Sequence, residues 1–157
     1  MRMIMFVLFL LVAVAYALRR GGGPERAMAG IAIGMVLSDQ LLHQVAPPIF
    51  DGLDLGHLAI DLIGAAATFT LAMVAYRFWP MIAAVLHILP LMAHTSRLLE
   101  LPVQPVAYLV MQVASSWLVP PLLIAATWRQ HRRVTLLGSY PSWHISSRRS
   151  NRSAANS

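Results

Sequence analysis

Residues 55–76 read LGHLAIDLIGAAATFTLAMVAY, a run in which Asp61 is the sole formally charged side chain. A helix needs about 17–25 mainly apolar residues to cross the hydrocarbon of a bilayer. This run supplies them, without the period-two alternation of a barrel strand. Similar runs lie on both sides of it: Met3 to Leu18, Ala27 to Phe50, Phe78 to Ser96 and Leu101 to Trp128. Met3 to Leu18 is the shortest and sits at the lower limit for a span. The segments joining them carry turn chemistry: Arg19-Arg20-Gly21-Gly22-Gly23-Pro24, Pro47-Pro48 with Asp51-Gly52, Arg77-Phe78-Trp79-Pro80, and Pro102 with Pro105. The expected fold is all-α, a polytopic transmembrane helical bundle of five spans over residues 1–128. A basic, Ser/Arg-rich tail over 129–157 is expected to be disordered, because it has too little apolar surface to offset chain entropy.

Composition agrees with this reading. The chain has 157 residues, 58% of them hydrophobic and 11% charged, and its mean hydropathy of +0.65 leaves too few polar side chains to cover a soluble globule. Twelve Lys+Arg stand against six Asp+Glu. On a soluble chain that balance would suggest nucleic acid as a partner. Here the arginines lie between and after apolar runs, where they orient helices in a bilayer, so the expected partner is lipid. No cysteine is present, which excludes disulfides, thiolate metal sites, Fe–S clusters and cysteine nucleophiles.

The arginines also set the expected topology. With five spans and the N-terminus outside, Arg19, Arg20, Arg26, Arg77, Arg129, Arg132, Arg133, Arg148, Arg149 and Arg152 lie inside, and Arg2 and Arg97 lie outside. Small residues at Ala13, Ala15 and Ala17 would also suit cleavage of the first run as a signal peptide, leaving four spans. If those four spans stayed in place, cleavage would put the basic tail outside and invert the charge rule, so an uncleaved first helix is preferred. The expected location is a bacterial inner membrane, with the N-terminus periplasmic and the C-terminus cytoplasmic.

Ionisable groups inside a span cost about 2.5–3.5 kcal/mol on insertion scales and mark pathways or sites. Asp39 and His43 lie four residues apart on one face of the second helix, and His57 and Asp61 repeat the spacing in reverse order on the third. Antiparallel helices would hold the two Asp–His pairs at matching depth near the outer end. His94, late in the fourth helix, falls at the same level. His87 sits deeper, beyond Pro90, and Gln104, Tyr108, Gln112 and Ser115 step inward along the fifth helix. Together these groups define a candidate polar cavity that opens outward.

Three chemistries fit such a cluster. Imidazoles with carboxylates suit a divalent metal such as Zn, Mn or Fe, with Asp39 and Asp61 as ligands or as partners orienting the rings. The same alternation suits a proton or cation relay. The third option is structural, with each pair holding its helices together. Haem is disfavoured, because no haem motif accompanies the histidines. Enzyme signatures are missing too: no Gly-x-Ser-x-Gly elbow, His-Glu-x-x-His or phosphate loop appears. Gly30-Ile31-Ala32-Ile33-Gly34 and the small residues Gly64 to Ala67 permit close backbone approach, either within the bundle or in a homodimer or larger membrane complex.

The stretch 57–127 resembles a group of small bacterial polytopic integral membrane proteins of unassigned function. The likeness rests on Asp61, Arg77-Phe78-Trp79-Pro80, His94, Tyr108 and Trp117. It implies an inner-membrane location and a helical bundle, and no activity. The expected function is that of an accessory or binding membrane protein with a polar outward-facing cavity. The alternative is a proton- or metal-ion-handling transporter or relay that uses the intramembrane Asp and His.

Overall fold

The computed structural model describes the backbone of residues 2–45, 54–139 and 141–143. Among them are five helices: α1 (Arg2–Arg20), α2 (Gly23–Val45), α3 (Leu55–Val74), α4 (Trp79–Leu98) and α5 (Pro105–Leu137). The helix boundaries follow local chemistry. Asp54 caps α3, its carboxylate accepting the backbone N–H groups of Gly56 and His57 at 3.0 and 3.1 Å. Pro80 and Pro105 occupy the first turns of α4 and α5, where a missing N–H costs nothing. Gly138 ends α5 at φ 73°, a left-handed conformation that glycine takes without strain. The Pro47-Pro48 and Asp51-Gly52 connection lies outside the described residues.

Each helix packs against its chain neighbours, α5 closes on α1, and α2 also touches α5. The result is a ring in which successive helices run antiparallel and α1 and α5, which close it, run parallel. One end, called here the histidine end, holds the C-terminus of α2, the N-terminus of α3 and the α4–α5 connection. The other carries the α1–α2 and α3–α4 connections and the far end of α5. Small side chains and a few large ones fill the half nearer this second end: Ala13, Ala17, Met28, Leu71, Ala83 and Leu123 are all buried. Gly64 lets α3 approach α2 closely, since a Cβ there would stand 2.5 Å from Met35 Sδ. A Cβ on Gly30 or Gly34 would meet nothing within 4 Å among the described residues.

The expectation of five spans is met in part. Among the described residues three helices are long and apolar enough to cross a membrane: α3, α4 and α5 from Val106. α1 and α2 fall outside that group. α1 is apolar from Ile4 to Leu18 and its side chains are described only from Ile4 onward, whereas α2 carries Glu25 and Arg26 in its first turn and Asp39, Gln40, His43 and Gln44 near its end. α5 also continues through Arg129 to Leu137, past the boundary expected after Trp128. Beyond it the chain turns back, with the Tyr76 N–H donating to the Ser142 carbonyl at 3.1 Å and an isolated bridge joining Ala75 to Trp143. The remainder of the expected tail lies outside the described residues.

Candidate functional site: an Asp/His cavity at the histidine end

A cavity of about 160 Å³ lies inside the ring and takes lining residues from all five helices. Phe6 and Leu10 come from α1, Asp39 from α2, His57 and Asp61 from α3, His87 from α4, and Gln112 and Ser116 from α5. Of the groups expected to converge on one cavity, Asp39, His57, Asp61, His87 and Gln112 line it, and His43, His94, Gln104 and Tyr108 do not. Side-chain exposure falls along the carboxylates and imidazoles, from 40% at Asp39 and 27% at His57 to 18% at Asp61 and 4% at His94. Asp61 is one helical turn from His57, about 6 Å further along the axis.

The partners differ from those that spacing suggests. His57 Nε2 faces Asp39 Oδ1 on the neighbouring helix at 3.2 Å, and its Nδ1–H donates to Asp54 Oδ2 at 2.8 Å. One imidazole thus bridges two carboxylates. Asp54 reaches it because the cap that starts α3 holds its side chain over the first turn. Asp61 pairs with His94 of α4, whose Nε2–H donates to Asp61 Oδ2 at 3.1 Å. The expected pairing of His57 with Asp61 within α3 gives way to these two contacts between helices. His43 keeps its link to Asp39: its Nδ1–H donates to the Asp39 carbonyl at 2.8 Å, and the Asp39 carboxylate lies 3.7 Å away. The His43 and His57 rings meet edge to face, with centroids 5.1 Å apart.

Around the deeper pair, the Gln112 amide nitrogen stands 3.5 Å from His94 Nε2 and donates to the Tyr108 hydroxyl at 3.2 Å. The Arg97 guanidinium lies over the Tyr108 ring, 4.6 Å from its centroid. His87 is buried, and its Nδ1–H donates to the Ala83 carbonyl at 2.8 Å, so its Nε2 is the nitrogen left to serve the cavity. Gln104 is exposed and sits at the N-cap of α5, outside the cavity. The side chain of Ser115 is outside the described set, while its neighbour Ser116 lines the cavity. Trp117 packs against Phe6, with ring centroids 5.8 Å apart.

Two features escaped the sequence reading. One is Asp54, which stood in an apparent loop, although a helix-capping Asp three residues before a His was a usable signal. The other is a buried polar knot that closes the second end. Glu25 is fully buried and accepts the Gly22 N–H at 3.0 Å and the Trp79 indole N–H at 3.1 Å; the Arg77 Nε lies 3.6 Å from the same carboxylate. Gln130 and Thr127 of α5 are buried at the same end. Trp143 folds over Gly23, where a Cβ would fall 2.5 Å from its ring. Charges flanking an apolar run look like topology signals in sequence, which concealed this pairing.

No family model matches the chain, and no match is found among curated proteins or solved structures.

Proposed function

We propose that the protein is a small integral inner-membrane protein that binds a cation in a polar cavity open to the periplasm and closed toward the cytoplasm. On this reading α1 and α2 lie in the bilayer beside the three apolar helices. They complete the ring, and α1 turns Ile4, Met5, Leu8, Leu11 and Val12 outward. The N-terminus is periplasmic and the C-terminus cytoplasmic, the arrangement that keeps most arginines inside.

The observation that carries the reading is the convergence of Asp39, His57, Asp61 and His87, from three helices, on one cavity. Carboxylates in a bundle interior are costly unless paired, and here Asp39 faces the His57 imidazole and Asp61 that of His94. A cation entering past the half-buried Asp39 meets carboxylates and imidazoles in sequence as far as Asp61 and His94. Beyond them, among the described residues, lie the buried apolar side chains and the Glu25 knot. This favours a binding or accessory role over a through-going relay.

The absence of native cysteine makes the test direct. Ser116→Cys and Ala17→Cys are placed singly in the chain and treated with a membrane-impermeant maleimide, in spheroplasts and in inside-out vesicles. Ser116→Cys is expected to react from the periplasmic side only, and Ala17→Cys from neither. Labelling of Ser116→Cys from the cytoplasmic side, or from neither side, overturns the reading.

A further inference from the structure

The geometry points to a binding site for a divalent first-row transition metal of the zinc class, built by Asp39, His43 and His57 and oriented by Asp54. One ligand atom from each of Asp39, His43 and His57 lies within 4.8 Å of the other two. The 3.2 Å between His57 Nε2 and Asp39 Oδ1 is close to the separation of two donors on one tetrahedral ion, given metal–ligand bonds of about 2.0–2.2 Å. The inference rests on the cavity as a cation site and names the class of cation that its mouth selects.

What lies behind the ligands makes the case more specific than proximity does. A metal-bound histidine characteristically donates its second ring N–H to a carboxylate or backbone carbonyl, which fixes the tautomer and leaves the other nitrogen's lone pair for the ion. Both histidines have this arrangement. His57 Nδ1–H is taken by Asp54 and His43 Nδ1–H by the Asp39 carbonyl, so Nε2 of each ring carries the lone pair. Asp54 is in turn fixed by two backbone N–H groups, so the ring it orients sits on a rigid helix start.

Donor chemistry excludes the commonest competitors. Calcium and magnesium take oxygen ligands, whereas two imidazoles and one carboxylate suit zinc, iron, nickel or copper. Three protein ligands leave a tetrahedral ion one position for water, the pattern of an exchangeable ion rather than a structural one. The ligands are partly exposed, so the ion arrives from water without crossing the core.

The probe is ZnCl2 added to chelator-stripped, full-length protein in detergent. Binding is read by competition with a chromophoric zinc chelator, with MgCl2 and CaCl2 run in parallel. Wild type is expected to bind one zinc per chain, which excess magnesium or calcium does not displace. The His43→Ala, His57→Ala double variant is expected to lose that equivalent. Asp54→Asn isolates the orienting carboxylate, because Asn caps a helix as well as Asp does. It is expected to keep its helix content and weaken zinc binding about 10–100-fold. Wild type that binds no zinc, or a double variant that binds it unchanged, overturns the proposal. Maleimide labelling of Ser116→Cys reports the cavity separately, so lost zinc with intact labelling refutes the metal and spares the cavity.

Discussion

Replacing Glu25 by alanine probes the end of the bundle that closes the cavity. The carboxylate is fully buried, accepts two N–H donors at 3.0 and 3.1 Å and stands 3.6 Å from Arg77, which is itself 4% exposed. Removing one member of a buried ion pair typically costs about 3–5 kcal/mol, because the other charge stays buried without it. Each donor left unsatisfied adds a penalty of about 1–3 kcal/mol, although such terms do not sum. The expected loss for Glu25→Ala is therefore about 3–5 kcal/mol, a large share of a net stability on the order of 5–15 kcal/mol. Glu25→Gln keeps one acceptor for Trp79 and is expected to fall between. Glu25→Met with Arg77→Met removes both charges and is expected to regain much of the loss, since apolar replacements of buried pairs are often neutral. Reversible unfolding in mixed micelles, followed by tryptophan fluorescence, gives the three differences. A Glu25→Ala loss below about 1 kcal/mol, the range of an exposed pair, would refute the buried knot, as would a double variant no better than the single.

Other consequences follow from the same packing. A double-mutant cycle on Asp61→Asn and His94→Ala should show a coupling of about 0.6–1.7 kcal/mol, the range of polar contacts between membrane helices; a value near zero would mean that the two side chains do not meet. Gly23→Ala puts a methyl group where the Trp143 ring lies, so a red-shifted Trp143 emission, measured in a variant lacking the other tryptophans, is expected. Gly64→Ile overpacks the α2–α3 contact at Met35 and should cost about 1–3 kcal/mol, with partial recovery on Met35→Ala; an unchanged melt would place the two helices further apart. Vesicles loaded with a pH-sensitive dye and carrying wild type should acidify no faster than protein-free vesicles, and rapid acidification abolished by Asp61→Asn would favour a relay.

The helical character of the chain was legible because continuous apolar runs carry it, and turn chemistry at Gly21–Pro24 and Trp79–Pro80 located two of the connections closely. The span count was less legible. Length and the absence of charge describe α3, α4 and α5 well, but the groups that make α2 chemically interesting also lower its apolar character. Site membership was readable for Asp39, His57, Asp61, His87 and Gln112, because intramembrane polar residues have few other places to go. Their pairing was not. Spacing gives the face of one helix but not its rotation against the next. His57 is held between Asp54 and Asp39, and Asp61 pairs with His94. Gln104 shows the opposite error: its register fitted the stripe on α5, but helix initiation at Pro105 placed it outside. Glu25 was missed because its partner lies fifty-two positions away in the α3–α4 link, a separation that local pattern does not relate.

The central claim is that Asp39 meets His57 and Asp61 meets His94 across helix boundaries. The cysteine-free background allows it to be tested in native membranes with two double variants, Asp39→Cys with His57→Cys and Asp61→Cys with His94→Cys, and a short bifunctional methanethiosulfonate. Peptide mass analysis should find an intramolecular cross-link in each, joining α2 to α3 and α3 to α4. Protein that inserts normally and has reactive thiols but forms neither link would contradict the account.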